Sequence, residues 1–174
     1  MKILYIDCFY GFSAHMLMGA LADICDIPSC DDYCVHKESL KRSLIDCISA
    51  KALDNEQNDI TPSVVSQVIK SMGIDYVMCS SVPLADSADG NVINALQNGG
   101  VEMYPAERGA YITSEGARLL AEIATECGTK PPMEILSVGY GADINDKDAF
   151  LCVTIGEYGS DAFLENQYEY GEYV

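Results

Sequence analysis

The start of the chain changes abruptly from one hydrophobic period to another, and this change constrains the fold more than any other feature. The run ILYI (residues 3–6) is continuous and apolar, as in a strand that is buried on both faces. From Ser13 onward, apolar residues instead recur at helical spacing, at Leu17, Ala20, Leu21 and Ile24. Ser13 is predicted to be the N-cap of this helix. A buried strand followed at once by a helix is typical of α/β proteins.

The same alternation continues along the chain. Gly73, Gly99-Gly100 and Gly128 mark predicted helix ends, and two glycines around Tyr140 favour a tight bend at 137–141. The patterns predict further helices over 40–48, 62–72, 92–98 and 114–127, and strands over 2–7, 74–84, 101–104, 133–141 and 150–157.

These elements fit a single α/β domain, in which helices pack on a mixed sheet. The chain has 174 residues, of which 49% are hydrophobic, enough for one core. We predict that the domain covers 1–156. The remaining stretch, 157–174, is acidic and rich in tyrosine, which predicts a loosely ordered tail.

Charge and hydropathy exclude several classes of partner. The net charge is −17, from 27 acidic and 10 basic residues, and such a surface repels phosphate backbones. We therefore expect no nucleic-acid binding. No apolar run approaches the roughly 20 residues that span a bilayer, and the start lacks the form of a signal peptide. We expect a cytoplasmic protein that does not enter the membrane; a homo-oligomer is compatible with the sequence.

Eight cysteines are many for a cytoplasmic chain, and no Cys-x-x-Cys motif is present. One group lies close together in the loop-like stretch CDIPSCDDYCVH, where three thiols and an imidazole are candidate ligands of a soft metal ion. Buried cysteines also act as small apolar groups, so core packing stays an open alternative. The loop group is Cys25, Cys30, Cys34 and His36, whereas Cys47, Cys79, Cys127 and Cys152 follow apolar faces and are predicted to lie in the core.

The turn between the first strand and the first helix carries most of the reactive side chains. Asp7 is a candidate cation ligand or base, and Cys8 a candidate soft-metal ligand. Gly11 would permit close approach of a ligand, Ser13 a contact to phosphate at the helix N-terminus, and His15 metal binding or proton transfer. The structural alternative remains open: Asp7 and Ser13 as caps, Cys8 as core.

Four ordered segments resemble the LarC-type nickel insertion proteins. DCFYGFSAHM (7–16) is similar to the family pattern D-C-F-S-G-I-S-G-D-M, and MGIDYVMCSSVPL (72–84) to L-G-V-D-x-V-x-x-S-P-L-P-L. ITSEGARLLAEIATECG (112–128) resembles the V-T-P-T-G-A-A-L-L segment, and PPMEILSVGYGA (131–142) follows P-P-M-x-I-x-x-V-G-Y-G-A closely.

The resemblance implies a nickel chelatase-like enzyme of the lyase type. The family inserts nickel into pyridinium-3,5-bisthiocarboxylic acid mononucleotide, with CTP, to make a nickel pincer cofactor. For an enzyme of this kind we predict catalytic roles for Asp7, Cys8 and His15, nickel ligation by Cys8 and His15, and binding of a mononucleotide-like substrate by Gly11 and Ser13. The family's CTP-binding part is not in this sequence, so CTP is expected only through a separate carboxy-terminal half.

The sequence also departs from the family pattern. Tyr10, Ala14 and His15 replace a serine, a glycine and an acid of the first motif. The family's H-F-H-E-V-G block is absent, and AKALDNEQNDI (50–60) stands in its place. Two hypotheses follow beside the enzyme: a non-catalytic relative that binds a ligand or partner, and a metal-binding module built on the loop cysteines.

Overall fold

The computed structural model describes residues 1–26, 62–143 and 148–159. Four helices lie in these ranges: α1 (Ala14–Asp26), α2 (Pro62–Ser71), α3 (Gly90–Asn98) and α4 (Ser114–Ile123). The strands are β1 (Lys2–Asp7), β2 (Gly11–Phe12), β3 (Tyr76–Cys79), β4 (Val82–Leu84), β5 (Met103–Pro105), β6 (Tyr111–Ile112), β7 (Glu126–Cys127), β8 (Glu134–Ala142) and β9 (Phe150–Glu157).

A five-stranded mixed sheet in the order β7-β3-β1-β9-β8 forms the centre of the molecule. β1 pairs in parallel with β3 and antiparallel with β9, while β8 runs antiparallel to β9. Two small parallel pairs, β2-β6 and β4-β5, form separate two-stranded sheets. The predicted single-domain α/β fold with helices on a mixed sheet is confirmed.

The pleat of β1 divides its side chains between two layers. Leu4 and Ile6 are fully buried beneath the helices. Ile3 and Tyr5 point to the opposite face and pack with Met133 in a smaller cluster. The buried run at the start of the chain therefore serves both faces, as predicted.

Close packing of α1 on β8 explains the glycines around Tyr140. A Cβ at Gly141 would collide with the carbonyl oxygen of Met16, and one at Gly139 with that of Ala20. The predicted tight bend is wrong, since both glycines lie inside the nine-residue strand β8. These positions require glycine because the backbone of the helix lies directly against them. The chain does not turn there.

Two predicted elements are divided differently in the structure. The strand predicted over 74–84 forms two strands, because Ser80 N donates to Ile6 O whereas Val82 N donates to Glu102 O, so the chain changes partners. The helix predicted to reach residue 127 ends at Ile123. Thr125 N then donates to Val77 O, which starts the pairing of β7 with β3. The local spacing of apolar residues does not show that a neighbouring strand will compete for the same backbone hydrogen bonds.

The described chain has no helix long and apolar enough to cross a membrane. The predicted helix over 40–48, with Cys47, lies outside the described residues, as does the tail from residue 160. The sheet continues past the predicted domain boundary, since Glu157 pairs with Lys2 and Tyr158 N donates to Met1 O.

Tyr5 gives the fold a pH dependence that can be tested. Burial and the nearby Asp7 carboxylate raise the pKa of Tyr5 to about 12. Its hydroxyl donates to Gly128 O at 3.1 Å. An unfolded tyrosine has a pKa of about 10, so the stabilisation is complete below pH ~10 and is lost as the pH rises through ~12.

We expect Tyr5→Phe to be about 1 kcal/mol less stable than the parent at pH 8, because it lacks the hydrogen bond, and to lose less stability on going to pH 11. Urea unfolding of both proteins across this range measures the difference. Tyr104→Phe is the control, since that side chain is exposed. Parallel stability curves for Tyr5→Phe and the parent would contradict the assignment.

Candidate functional site

The strands β1, β3 and β8 all have their carboxyl ends on the same side of the sheet, the carboxyl edge. β1 and β3 are parallel, and β8 has the same direction as β1 because both are antiparallel to β9. Asp7, Ser80 and Asp143 stand at or just beyond these strand ends. Ligands of open α/β sheets bind outside the carboxyl ends of strands, which makes this edge the candidate site.

Asp7 is a partly accessible acid at this edge. Its side chain is half-buried, and Oδ1 accepts a hydrogen bond from Phe9 N at 3.1 Å. It lies on the Tyr5 face of β1, because side chains alternate along a strand, and its charge contributes to the raised pKa of Tyr5. Cys152 of β9 is directly in register with it and is half-buried rather than in the core as predicted.

Cys8 lies on the other side of the pleat and is fully buried. Its backbone N donates to Ser80 Oγ at 2.9 Å, which fixes the chain as it leaves β1. Burial raises the pKa of the Cys8 thiol well above its usual range, with smaller contributions from Cys79 and Asp7. Cys8, a predicted metal ligand, is therefore closed to a ligand, because the hydrophobic core encloses a protonated thiol.

Ser13 caps α1, as predicted. Its Oγ accepts from Met16 N at 3.2 Å and donates to Asp143 Oδ2 at 2.9 Å. A protein carboxylate thus lies at the helix N-terminus, where the sequence predicted a phosphate contact. A phosphate group at the same place would be repelled by Asp143. His15 is exposed in the first turn of this helix.

Gly11 faces the backbone of Tyr111 and not an open surface where a ligand could approach. A Cβ at this position would lie 2.6 Å from Tyr111 O, so the missing side chain permits the pairing of β2 with β6. Tyr111 N donates to Tyr10 O beside it. These bonds hold the turn that carries the aromatic residues described next.

Sequence reasoning missed an exposed aromatic cluster at the same edge. The rings of Tyr10 and Phe150 are stacked with centroids 4.2 Å apart, and Phe9 meets Tyr10 edge-on at 4.8 Å. All three rings are at least 39% exposed. Tyr10 was visible as a departure from the family's serine, but its contact with Phe150 depends on the register of β1 and β9 and has no local signal.

Metal ligands do not converge in the part of the chain that the structure describes. Across residues 1–26, 62–143 and 148–159, no group of three histidine, cysteine or acidic side chains has the geometry to hold a metal ion. The alternative cluster of Cys25, Cys30, Cys34 and His36 lies outside the described side chains and stays a prediction.

A shallow polar groove between α3 and α4 shares no residue with this edge. Gly99 makes the close packing of the two helices possible, since a Cβ there would collide with Ala121. The groove is lined mainly by polar side chains, Asn91, Asn98, Ser114, Glu115, Arg118 and Glu122.

Comparison with known proteins gives one partial similarity. Over 52 residues, 28% of this chain, the sequence is 42% identical to a protein of Geotalea daltonii described as a "Putative nickel insertion protein". The match spans only 13% of that protein's length. No family model matches the chain, and no solved structure matches it.

Proposed function

We propose that this chain is a divergent relative of the nickel insertion proteins and binds a nickel-accepting, mononucleotide-like substrate at the carboxyl edge of its sheet. The observation that carries the proposal is the 42% identity over 52 residues to the Geotalea daltonii protein. The position of Asp7 and the exposed aromatic rings at one sheet edge supports a small-molecule site there. The reaction class would be chelatase-like.

We expect the flat ring of the substrate to determine how the substrate is oriented in the site. The Tyr10–Phe150 stack offers an aromatic surface, and a planar ring gains most by packing against it. The phosphate points away from α1, because Asp143 already occupies the helix N-terminus. This reverses the orientation that the sequence predicted, in which Ser13 contacts phosphate.

Nickel is the cargo of the proposed reaction. Asp7 and His15 are the accessible members of the predicted ligand set, and carboxylate and imidazole groups both bind nickel. Asp7 would contact the ion at the sheet edge, and His15 would serve as a ligand or proton carrier on approach. Cys8 is assigned a structural role, because a buried neutral thiol does not present the thiolate that a metal binds.

A second candidate function is binding without catalysis. The enclosed Cys8 and the lack of a three-residue metal group among the described residues favour a relative that has kept the packing of the fold and lost metal insertion. Such a protein would bind the ring-bearing ligand or a partner, and it would bind nickel weakly or not at all.

Titration of the reduced protein with nickel, followed by calorimetry, separates these functions. Asp7→Asn and His15→Ala should each weaken nickel binding about tenfold, the loss of roughly one ligand interaction. Asp86→Asn, an acid exposed in a loop, should leave it unchanged. If Cys30→Ala alone abolishes binding, the metal site is the cysteine loop. Absence of nickel binding by the parent protein would contradict the metal-insertion proposal and favour the non-catalytic alternative.

Ring binding is tested independently with nicotinamide mononucleotide as the probe. Tyr10→Ala should weaken its binding about five- to tenfold, since stacking on one aromatic side chain contributes about 1–1.5 kcal/mol. Tyr104→Ala removes a comparably exposed aromatic residue on β5 and is the matched control. Equal affinities for both variants would remove the aromatic cluster from the site.

A further inference from the structure

Two cysteines lie side by side on neighbouring strands beneath the candidate site. Cys79 ends β3 and Cys127 ends β7, and the two residues are direct partners in the parallel ladder. Side chains of such partners project from the same face. Neighbouring strands lie about 4.8 Å apart, within the roughly 4.4–6.8 Å between Cα atoms that a disulfide requires.

The two thiols differ in access to solvent. Cys79 is fully buried, whereas Cys127 is half-buried and its sulfur accepts a hydrogen bond from Glu102 N at 3.3 Å. Burial raises the pKa of Cys79, and the neighbouring Cys127 raises it further. An oxidant from solution therefore meets Cys127 first, and among the described residues Cys79 is the cysteine paired with it in the ladder.

We propose that Cys79 and Cys127 form a disulfide-forming modification site that reacts with small-molecule disulfides. The Cys127 thiolate attacks one sulfur of oxidised glutathione, which forms a mixed disulfide and releases one glutathione thiolate. The Cys79 thiol then loses its proton to the departing glutathione as its sulfur attacks the Cys127 sulfur, which releases the second glutathione. Two protein thiols are oxidised to one disulfide while one oxidised glutathione is reduced to two thiols, and two protons pass to the released glutathione.

The local structure favours the Cys79–Cys127 disulfide over free thiolates at these positions. The disulfide is neutral, so it leaves no charge in an apolar environment, unlike a thiolate. β7 is the outermost strand of the sheet and has only two residues, so it can shift by the small distance that bond formation requires. The bond would tie the end of α4 to β3 and close a long loop, which restricts the unfolded chain.

The experiment uses the full chain, incubated with oxidised glutathione, alkylated with iodoacetamide and digested with trypsin. The sequence places Cys79 alone in the peptide 71–108 and Cys127 alone in 119–147, because the Lys130–Pro131 bond resists trypsin. We expect these two peptides joined by one disulfide and separated by dithiothreitol. The oxidised protein should melt roughly 5–15 °C higher than the reduced one.

Two variants make the assignment specific. Cys152→Ser changes a half-buried cysteine that has no cysteine partner in the ladder, and it should leave the cross-link intact. Cys79→Ser should stop the reaction at the mixed disulfide of Cys127 with glutathione, which shows that Cys127 is reached first even if the variant is less stable. A persistent mixed disulfide in the parent protein, a link to Cys8 instead, or no link at all would overturn the proposal. None of these outcomes depends on nickel or nucleotide binding.

Discussion

Gly141→Ala is expected to lower the free energy of unfolding by about 3 kcal/mol or more, the upper part of the range for overpacked positions. The added methyl group would collide with the carbonyl oxygen of Met16 and lie 2.7 Å from the backbone N of Ala20. Both neighbours belong to the backbone of α1, so neither can rotate away as a side chain would. The helix must lift from β8, and the packing of Leu17 and Leu21 would be disturbed with it.

Urea unfolding monitored by circular dichroism measures this loss. Gly90→Ala is the matched control, because nothing lies within 4 Å of a Cβ at that position in the first turn of α3. It should be neutral or stabilising by up to about 1 kcal/mol, since alanine favours a helix over glycine. A loss below 1 kcal/mol for Gly141→Ala would mean that α1 does not rest on β8 as closely as described.

Phe12→Ala should cost about 3–5 kcal/mol, the usual range for truncating a fully buried phenylalanine. Phe12 is completely enclosed, and its strand β2 holds the turn between β1 and α1 against β6. A cavity here removes the support under Ser13 and the aromatic cluster. We therefore expect the variant to lose nicotinamide mononucleotide binding under conditions where it is still folded.

Phe9→Ala tests whether burial, and not residue type, sets this cost. Phe9 lies three positions earlier in the same turn, and the residue is 53% exposed. Its loss of stability should stay within about 1 kcal/mol, because little apolar surface is returned to water. Similar losses for the two variants, measured by the same unfolding experiment, would contradict the burial of Phe12.

The sequence predicted the features of this fold that depend on short-range interactions. The Ser13 cap is confirmed, since its hydroxyl accepts a hydrogen bond from the backbone N of Met16, three residues on. The strand 150–157 is confirmed over its full length. Capping, helical period and apolar runs are each decided by neighbours within a few residues, so they can be read without knowing the partners.

Only the tertiary structure decided the chemistry of the candidate site. The neighbouring residues Asp7 and Cys8 are separated by the strand pleat, one toward the sheet edge and one into the core. Asp143 reaches Ser13 across 130 positions of sequence, and Cys79 meets Cys127 across the ladder. Such contacts depend on which strands pair and in which register, and that choice is made by the burial of the whole hydrophobic core rather than by any local pattern.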